Sequence, residues 1–116
     1  MQQVLVTGGG GFIGKALVRA LVERGLRVTV VGRNSYPDLE SLGVKCLRGD
    51  IRDADFLERA CAGHDTVFHV AAKAGVWGPR TEYFAINLHG TENVLAACRK
   101  AGVERLVYTS TPSVVF

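Results

Sequence analysis

Residues 4 to 14 read Val4-Leu5-Val6-Thr7-Gly8-Gly9-Gly10-Gly11-Phe12-Ile13-Gly14, a β-branched apolar run that breaks into glycine and then into a helical pattern. Glycine disfavours regular structure by roughly 1 kcal/mol per residue against alanine. Four in succession therefore mark a turn in which bare backbone has a task. The apolar run suits a strand buried on both faces. Beyond the glycines, Ile13, Ala16, Leu17, Ala20 and Leu21 share one face of a 3.6-residue period. At a strand-turn-helix unit of this kind an early glycine permits a tight reversal, a middle one lets the backbone approach an anion, and a last one lets helix and strand pack closely. The unpaired N–H groups and positive dipole end of the helix then face a pyrophosphate.

The spacing admits more than one register. Gly9 to Gly14 fits G-x-G-x-x-G, and Thr7 to Gly14 fits T-G-x-x-G-x-x-G. Gly9 to Lys15 also fits G-x-x-x-x-G-K, the body of a triphosphate-binding loop. That loop needs a Ser or Thr hydroxyl after the lysine to hold Mg²⁺, and Ala16 has none.

Downstream, strand and helix patterns alternate. Leu26 to Val31 reads as a second strand ended by Gly32-Arg33. A strand end about twenty residues after the glycine turn is where an acidic residue meets the adenosine ribose of NAD. This chain has no carboxylate there; Gly32 leaves space, and Arg33 offers a planar cation suited to the 2′-phosphate of NADP. A short helical stretch around Leu39 and Leu42 leads to a third strand over Val44 to Asp50, with Asp50-Ile51 at its end, where an adenine edge could be met. Asp53 reads as the N-cap of a helix turning Phe56, Leu57, Ala60 and Cys61 inward. Thr66 to Ala72 is the fourth strand, whose closing Ala71-Ala72 would let a flat ligand lie against the backbone. Lys73 to Arg80 is the longest irregular stretch, the substrate-side kind of loop. A helix from about Thr81 to Ala101 follows, with Tyr83, Phe84, Leu88, Thr91, Leu95 and Cys98 near one face, and Arg105 to Ser110 is a fifth strand ending in hydroxyls. This order predicts an α/β doubly wound parallel sheet, strand order 3-2-1-4-5, helices on both faces, with the motifs gathered at one edge.

Composition narrows the function. With 116 residues the chain is one domain. Its net charge of +3 is spread along the chain without a basic face interleaved with aromatics, which speaks against nucleic acid. No apolar run approaches the roughly 20 residues of a membrane span, and no basic-then-apolar leader opens the chain, so the expected location is cytoplasmic. Cys46, Cys61 and Cys98 lack a C-x-x-C spacing and read as buried reduced thiols. His64, His69 and His89 have no ligand spacing that would predict a metal.

The ordered set Thr7-Gly8-x-x-Gly11-x-x-Gly14, Gly49-Asp50-Ile51, His69-Val70-Ala71-Ala72, Asn87-x-x-Gly90-Thr91-x-Asn93 and Val107-Tyr108-Thr109-Ser110-Thr111 resembles the extended short-chain dehydrogenase/reductase family, which includes the nucleotide-sugar epimerases and dehydratases. Within it, the loop from Ala71 to Gly78 and the segment from Thr109 to Val114 are closest to the 3β-hydroxysteroid dehydrogenase-like branch that also holds 2-alkyl-3-oxoalkanoate reductases. The resemblance selects the register of Gly8, Gly11 and Gly14 with Phe12 and Ile13 and implies that Asp50 and Ile51 meet the adenine while Asn87 supports the site; Arg33, Ala71, Ala72 and Lys73 are the further expected cofactor contacts. With Arg33 read as the 2′-phosphate ligand, the expected cofactor is NADP(H), with NAD(H) as alternative; the resemblance implies hydride transfer to or from a ketone or secondary alcohol of 3-oxo-acid or steroid-like type, and no metal is expected. A nucleotide-sugar epimerase or dehydratase, or a dinucleotide sensor without catalysis, are the other readings. Thr111, with Ser110 as second choice, matches the family's catalytic hydroxyl.

The family's Tyr-x-x-x-Lys pair is not among these residues: Tyr36, Tyr83 and Tyr108 are followed four positions later by Glu40, Asn87 and Pro112. The expectation is that residues 1–116 are an N-terminal dinucleotide-binding portion whose catalytic and substrate parts lie beyond Phe116. Its exposed sheet edge would favour self-association, hence a homo-oligomer. Reading the downstream coding sequence checks this, with an in-frame Tyr-x-x-x-Lys expected about 20 to 40 residues on; a stop codon directly after Phe116 would favour the sensor instead.

Overall fold

The structure, a computed structural model, describes residues 1–8, 12–34, 36–70 and 80–109, and for residues 12, 13, 80–89 and 109 the backbone alone. The elements run β1 (Gln3–Thr7), α1 (Phe12–Glu23), β2 (Arg27–Gly32), α2 (Pro37–Glu40), β3 (Lys45–Arg48), α3 (Ala54–Cys61), β4 (Thr66–Val70), α4 (Arg80–Ala101) and β5 (Arg105–Thr109). All pairings are parallel and the sheet order is β3-β2-β1-β4-β5, as the alternation predicts. The chain winds outward from β1 to β3, then returns to start again beside β1. The carboxyl ends of β1 and β4 therefore flank the point where the winding reverses.

Alternate residues of each strand feed opposite layers, because the side-chain period of a strand is two. Val4 and Val6 of β1, with Val28 and Val30 of β2, pack on Val18 and Leu21 of α1 and Leu39 of α2. Leu5, Val31 and Val67 face the other way, onto Leu57, Ala60 and Cys61 of α3 and Val94, Ala97 and Cys98 of α4. Both faces of the central strands are thus covered, which is why they read as unbroken apolar runs. No helix among the described residues is long and apolar enough to cross a membrane.

The helix faces differ in detail from the expected ones. On α1 the buried stripe is Gly14, Val18 and Leu21, with Leu17 half-buried, whereas Ala16 and Ala20 are exposed. At about 100° per residue, Ala16 and Ala20 point some 200° away from Gly14 and Val18. Gly14 and Val18 lie on the buried side, so the two alanines face outward. On α4 the stripe is Val94, Ala97 and Cys98, and Leu95 is 43% exposed, because packing against α3 selects one flank of the broader apolar pattern. The other predictions fare better. Asp53 Oδ1 accepts from the Phe56 N–H at 3.1 Å as an N-cap, and Cys61 and Cys98 are buried free thiols while Cys46 is half-buried. On the edge strand β5, Val107 and Tyr108 are 37% and 54% exposed.

At the amino end of the sheet Asp65 ties three strands together. Its carbonyl accepts from the N–H groups of Glu104 and Arg105, and its own N–H donates to the Gln3 carbonyl. Its carboxylate accepts from Gln3 N–H at 2.8 Å, the Thr66 hydroxyl at 2.7 Å and Gln2 N–H at 2.9 Å. These donors favour the ionised form and hold the carboxyl down to about 2. A carboxyl depressed in the folded state stabilises above its unfolded value, near 4, and that contribution drains away as pH falls toward the folded value. Asp65→Asn is expected to lower stability at neutral pH and to flatten the acid limb between about pH 4 and pH 2. Denaturant titrations across that range check it, and coincident limbs for the two proteins would refute it.

Candidate functional site

The end of β1 approaches the end of β4 so closely that a side chain does not fit between them. Gly8 has φ +77°, and a Cβ built on it would lie 2.5 Å from the Val70 carbonyl oxygen and 3.3 Å from Val70 Cβ. Both the left-handed backbone and the approach demand glycine there. The chain leaves β1 across the switch point, passes through residues 9–11, and enters α1 at Phe12. Gly14, within the first turn of the helix, is buried. This is the geometry in which the first N–H groups of a helix are presented at the carboxyl edge of a sheet.

Directly beneath, Thr7 and His69 are register partners on β1 and β4. Thr7 Oγ1 and His69 Nδ1 are hydrogen-bonded, and His69 Nε2 lies 2.9 Å from Thr91 Oγ1 on α4. The imidazole is 4% exposed, and burial pushes its pKa below the ordinary value. Neutral histidine suits this chain of bonds, with one ring nitrogen donating and the other accepting while each threonine hydroxyl does the converse. The Tyr108 ring on β5 sits 5.4 Å from it, tilted by 55°. Sequence reasoning excludes His69 as a ligand but assigns it no role. Its signal is the alternation on β4, which puts His69 on the same face as buried Val67.

The ends of β2 and β3 form the other half of the edge. Arg33 is exposed just past β2. Gly49 N–H donates to the Gly32 carbonyl at 2.9 Å, and the bare Cα of Gly49 gives room to the Phe56 ring. Asp50 is engaged by Arg52: Nη2 donates at 2.8 Å and Nε at 3.1 Å to its Oδ2, and the Arg52 N–H donates to Oδ1 at 2.9 Å. Chiefly these Arg52 bonds, with the Arg33 charge adding to them, hold the Asp50 carboxyl below the usual range. Ile51 is locked from behind, since Asn93 Nδ2 donates to its carbonyl at 2.9 Å and its side chain occupies the space a Cβ on Gly90 would need. Gly90 and Asn93 thus tie α4 to the loop after β3, a link that the spacing Gly90-Thr91-x-Asn93 signals without revealing its target.

Of the residues singled out from sequence, Gly8, Gly14, Arg33, Asp50 and Ile51 come together along the carboxyl edge of β1, β2 and β3. Gly11, Ala71, Ala72, Lys73, Ser110 and Thr111 lie outside the described residues, as do the side chains of Phe12, Ile13 and Asn87.

An open parallel sheet with a glycine turn at its switch point defines the doubly wound Rossmann class. Residues 5–116 match the 3-beta hydroxysteroid dehydrogenase/isomerase family, and the chain belongs to it. A 2-alkyl-3-oxoalkanoate reductase of Stenotrophomonas maltophilia is 55% identical over 97% of this chain and 34% of its own length. One of Shewanella oneidensis is 48% identical over 100% of this chain and 30% of its own. Among solved structures, a Thermus thermophilus UDP-glucose 4-epimerase in complex with NAD superposes with TM-score 0.82 at 41% identity, over 95% of this chain and 38% of that one. The chain thus spans about a third of the length of these relatives.

Gly8→Ala combines a disfavoured φ with a clash against backbone, which cannot swing aside. It is expected to destabilise the fold by about 2 kcal/mol or more, read as a shift in the urea midpoint. A change below about 0.5 kcal/mol, the size of an ordinary surface substitution, would refute this tightness.

Proposed function

We propose that residues 1–116 are the cofactor-binding part of an oxidoreductase that moves hydride between NADP(H) and a ketone or secondary alcohol of 3-oxo-acid or steroid-like type. The observation that carries the cofactor reading is the pairing of two positions without side chains on one edge: Gly8, where a side chain would strike Val70, and Gly32, where β2 ends without a carboxylate. Bare backbone suits a pyrophosphate at the start of α1. A strand end without a carboxylate, followed by Arg33, suits a 2′-phosphate and removes the repulsion that an acid would impose. The names of the two reductase relatives support the substrate class.

In this reading Gly8, Gly11 and Gly14, with Phe12 and Ile13, hold the pyrophosphate, and Arg33 pairs with the 2′-phosphate. Asp50 and Ile51 border the adenine, where Asn93 fixes the Ile51 carbonyl and Arg52 fixes the Asp50 carboxylate. Ala71, Ala72 and Lys73 line the nicotinamide half, Asn87 supports it, and Thr111 or Ser110 offers a hydroxyl to the substrate oxygen. The bound cofactor supplies or accepts the hydride. The protein's part here is to orient it and to keep the floor of the site rigid through Thr7, His69 and Thr91. Proton transfer falls to a Tyr-x-x-x-Lys pair in the remainder of the protein.

The likeness to a UDP-glucose 4-epimerase carries a second reading, a nucleotide-sugar epimerase or dehydratase. The missing acid at Gly32 favours the reductase. Nicotinamide fluorescence titrations of the full-length protein are expected to show both coenzymes binding, NADPH at least about tenfold tighter, the worth of one charge-assisted contact. A folded sample that binds neither would overturn the proposal. Turnover of nucleotide sugars but not of oxo acids or steroids would select the epimerase.

A further inference from the structure

We propose that Tyr36 is the residue through which this chain reads the 2′ position of the adenosine ribose, and that its phenol and any side chain at position 32 compete for one space. The inference rests on the dinucleotide reading above and deepens it.

Gly32 is the last residue of β2 and has the same parity as Val28 and Val30, which face α1. A side chain at 32 would project on that face, beside the glycine turn. The space is taken: a Cβ there would lie 2.5 Å from Tyr36 Oη, 2.8 Å from Cε2 and 3.0 Å from Cζ. Gly32 is not among the glycines with positive φ, so its backbone would accept any residue. The three heavy atoms nearest to that position all belong to the phenol.

Tyr36 is anchored through its backbone and its ring. The Tyr36 carbonyl accepts from the N–H groups of Leu39 and Glu40, both at 3.0 Å, at the start of α2. The Tyr36 ring packs against the layer formed by α1 and the sheet. Lys15, near the start of α1, pairs with Asp38 of α2 at 3.0 Å. A hydroxyl therefore stands at the strand end where a carboxylate would otherwise project. The two groups differ in sign of preference. A carboxylate only accepts hydrogen bonds and repels phosphate, whereas a phenol donates to a phosphate oxygen and can also bond a ribose hydroxyl. With Arg33 the next residue after Gly32 in the chain and exposed, and Asp38 paired with Lys15, the ligand chemistry that fits is a ribose bearing a 2′-phosphate.

The test uses the full-length protein, its Tyr36→Phe and Gly32→Asp variants and the double variant, each titrated with NADPH and with NADH after thermal unfolding confirms a folded state. Tyr36→Phe keeps the ring and its packing, so a structural role would leave both affinities in place. The expected result is a loss of about tenfold for NADPH and under about threefold for NADH, the difference between a charge-assisted and a neutral hydrogen bond. In the Gly32→Asp background the ring is displaced, and removing its hydroxyl is expected to change neither affinity by more than about twofold. Equal losses for both coenzymes, or an undiminished effect of Tyr36→Phe beside Asp at 32, would overturn the inference while leaving the dinucleotide reading intact. A wild-type protein that binds neither coenzyme removes that reading and this one together.

Discussion

The contact on which the rest of the edge depends is the approach of Gly8 to the Val70 carbonyl. Two parallel strands joined side by side must send their chains off the sheet at the same level, and ordinary side chains would wedge them apart. Here the first chain departs with no side chain and with φ +77°, so β1 and β4 stay in register to their ends. The consequence is a shallow floor of backbone at the reversal of winding, with the start of α1 beside it.

A polar chain beneath that floor makes it rigid. Thr7, His69 and Thr91 link β1 to β4 and β4 to α4, and all three lie where water would otherwise have to satisfy them. A buried imidazole without such partners would be costly; with them it couples the sheet to the helix that also carries Gly90 and Asn93. Through Asn93 the same helix holds Ile51, so the floor and the far end of the edge are referenced to one element. Precision at the edge is thus a property of α4 as much as of the glycine turn.

The second feature is the way a missing side chain is used twice. At Gly8 the space is filled by a neighbouring carbonyl, and at Gly32 by the phenol of Tyr36. Both positions are glycine for reasons of close approach, yet only Gly8 also needs its unusual backbone. Family membership and the strand order agree on the fold, and the named relatives are about three times as long as this chain.

By itself the sequence determined the order and type of the elements, the parallel sheet and its winding. Apolar runs of period two and helices of period 3.6 are local signals, and a parallel sheet covered on both faces needs little more. It also marked the glycine turn, the absent acid at the end of β2 and the N-cap at Asp53. Tertiary structure decided which flank of each helix is buried, turning Ala16, Ala20 and Leu95 outward. It also decided the partners of His69, Asn93 and Tyr36. Those partners are separated by tens of residues for His69 and Asn93, and for Tyr36 by a loop whose path no propensity fixes. A periodic pattern can say that a face is apolar; only the packed sheet says which side chain fills a particular space.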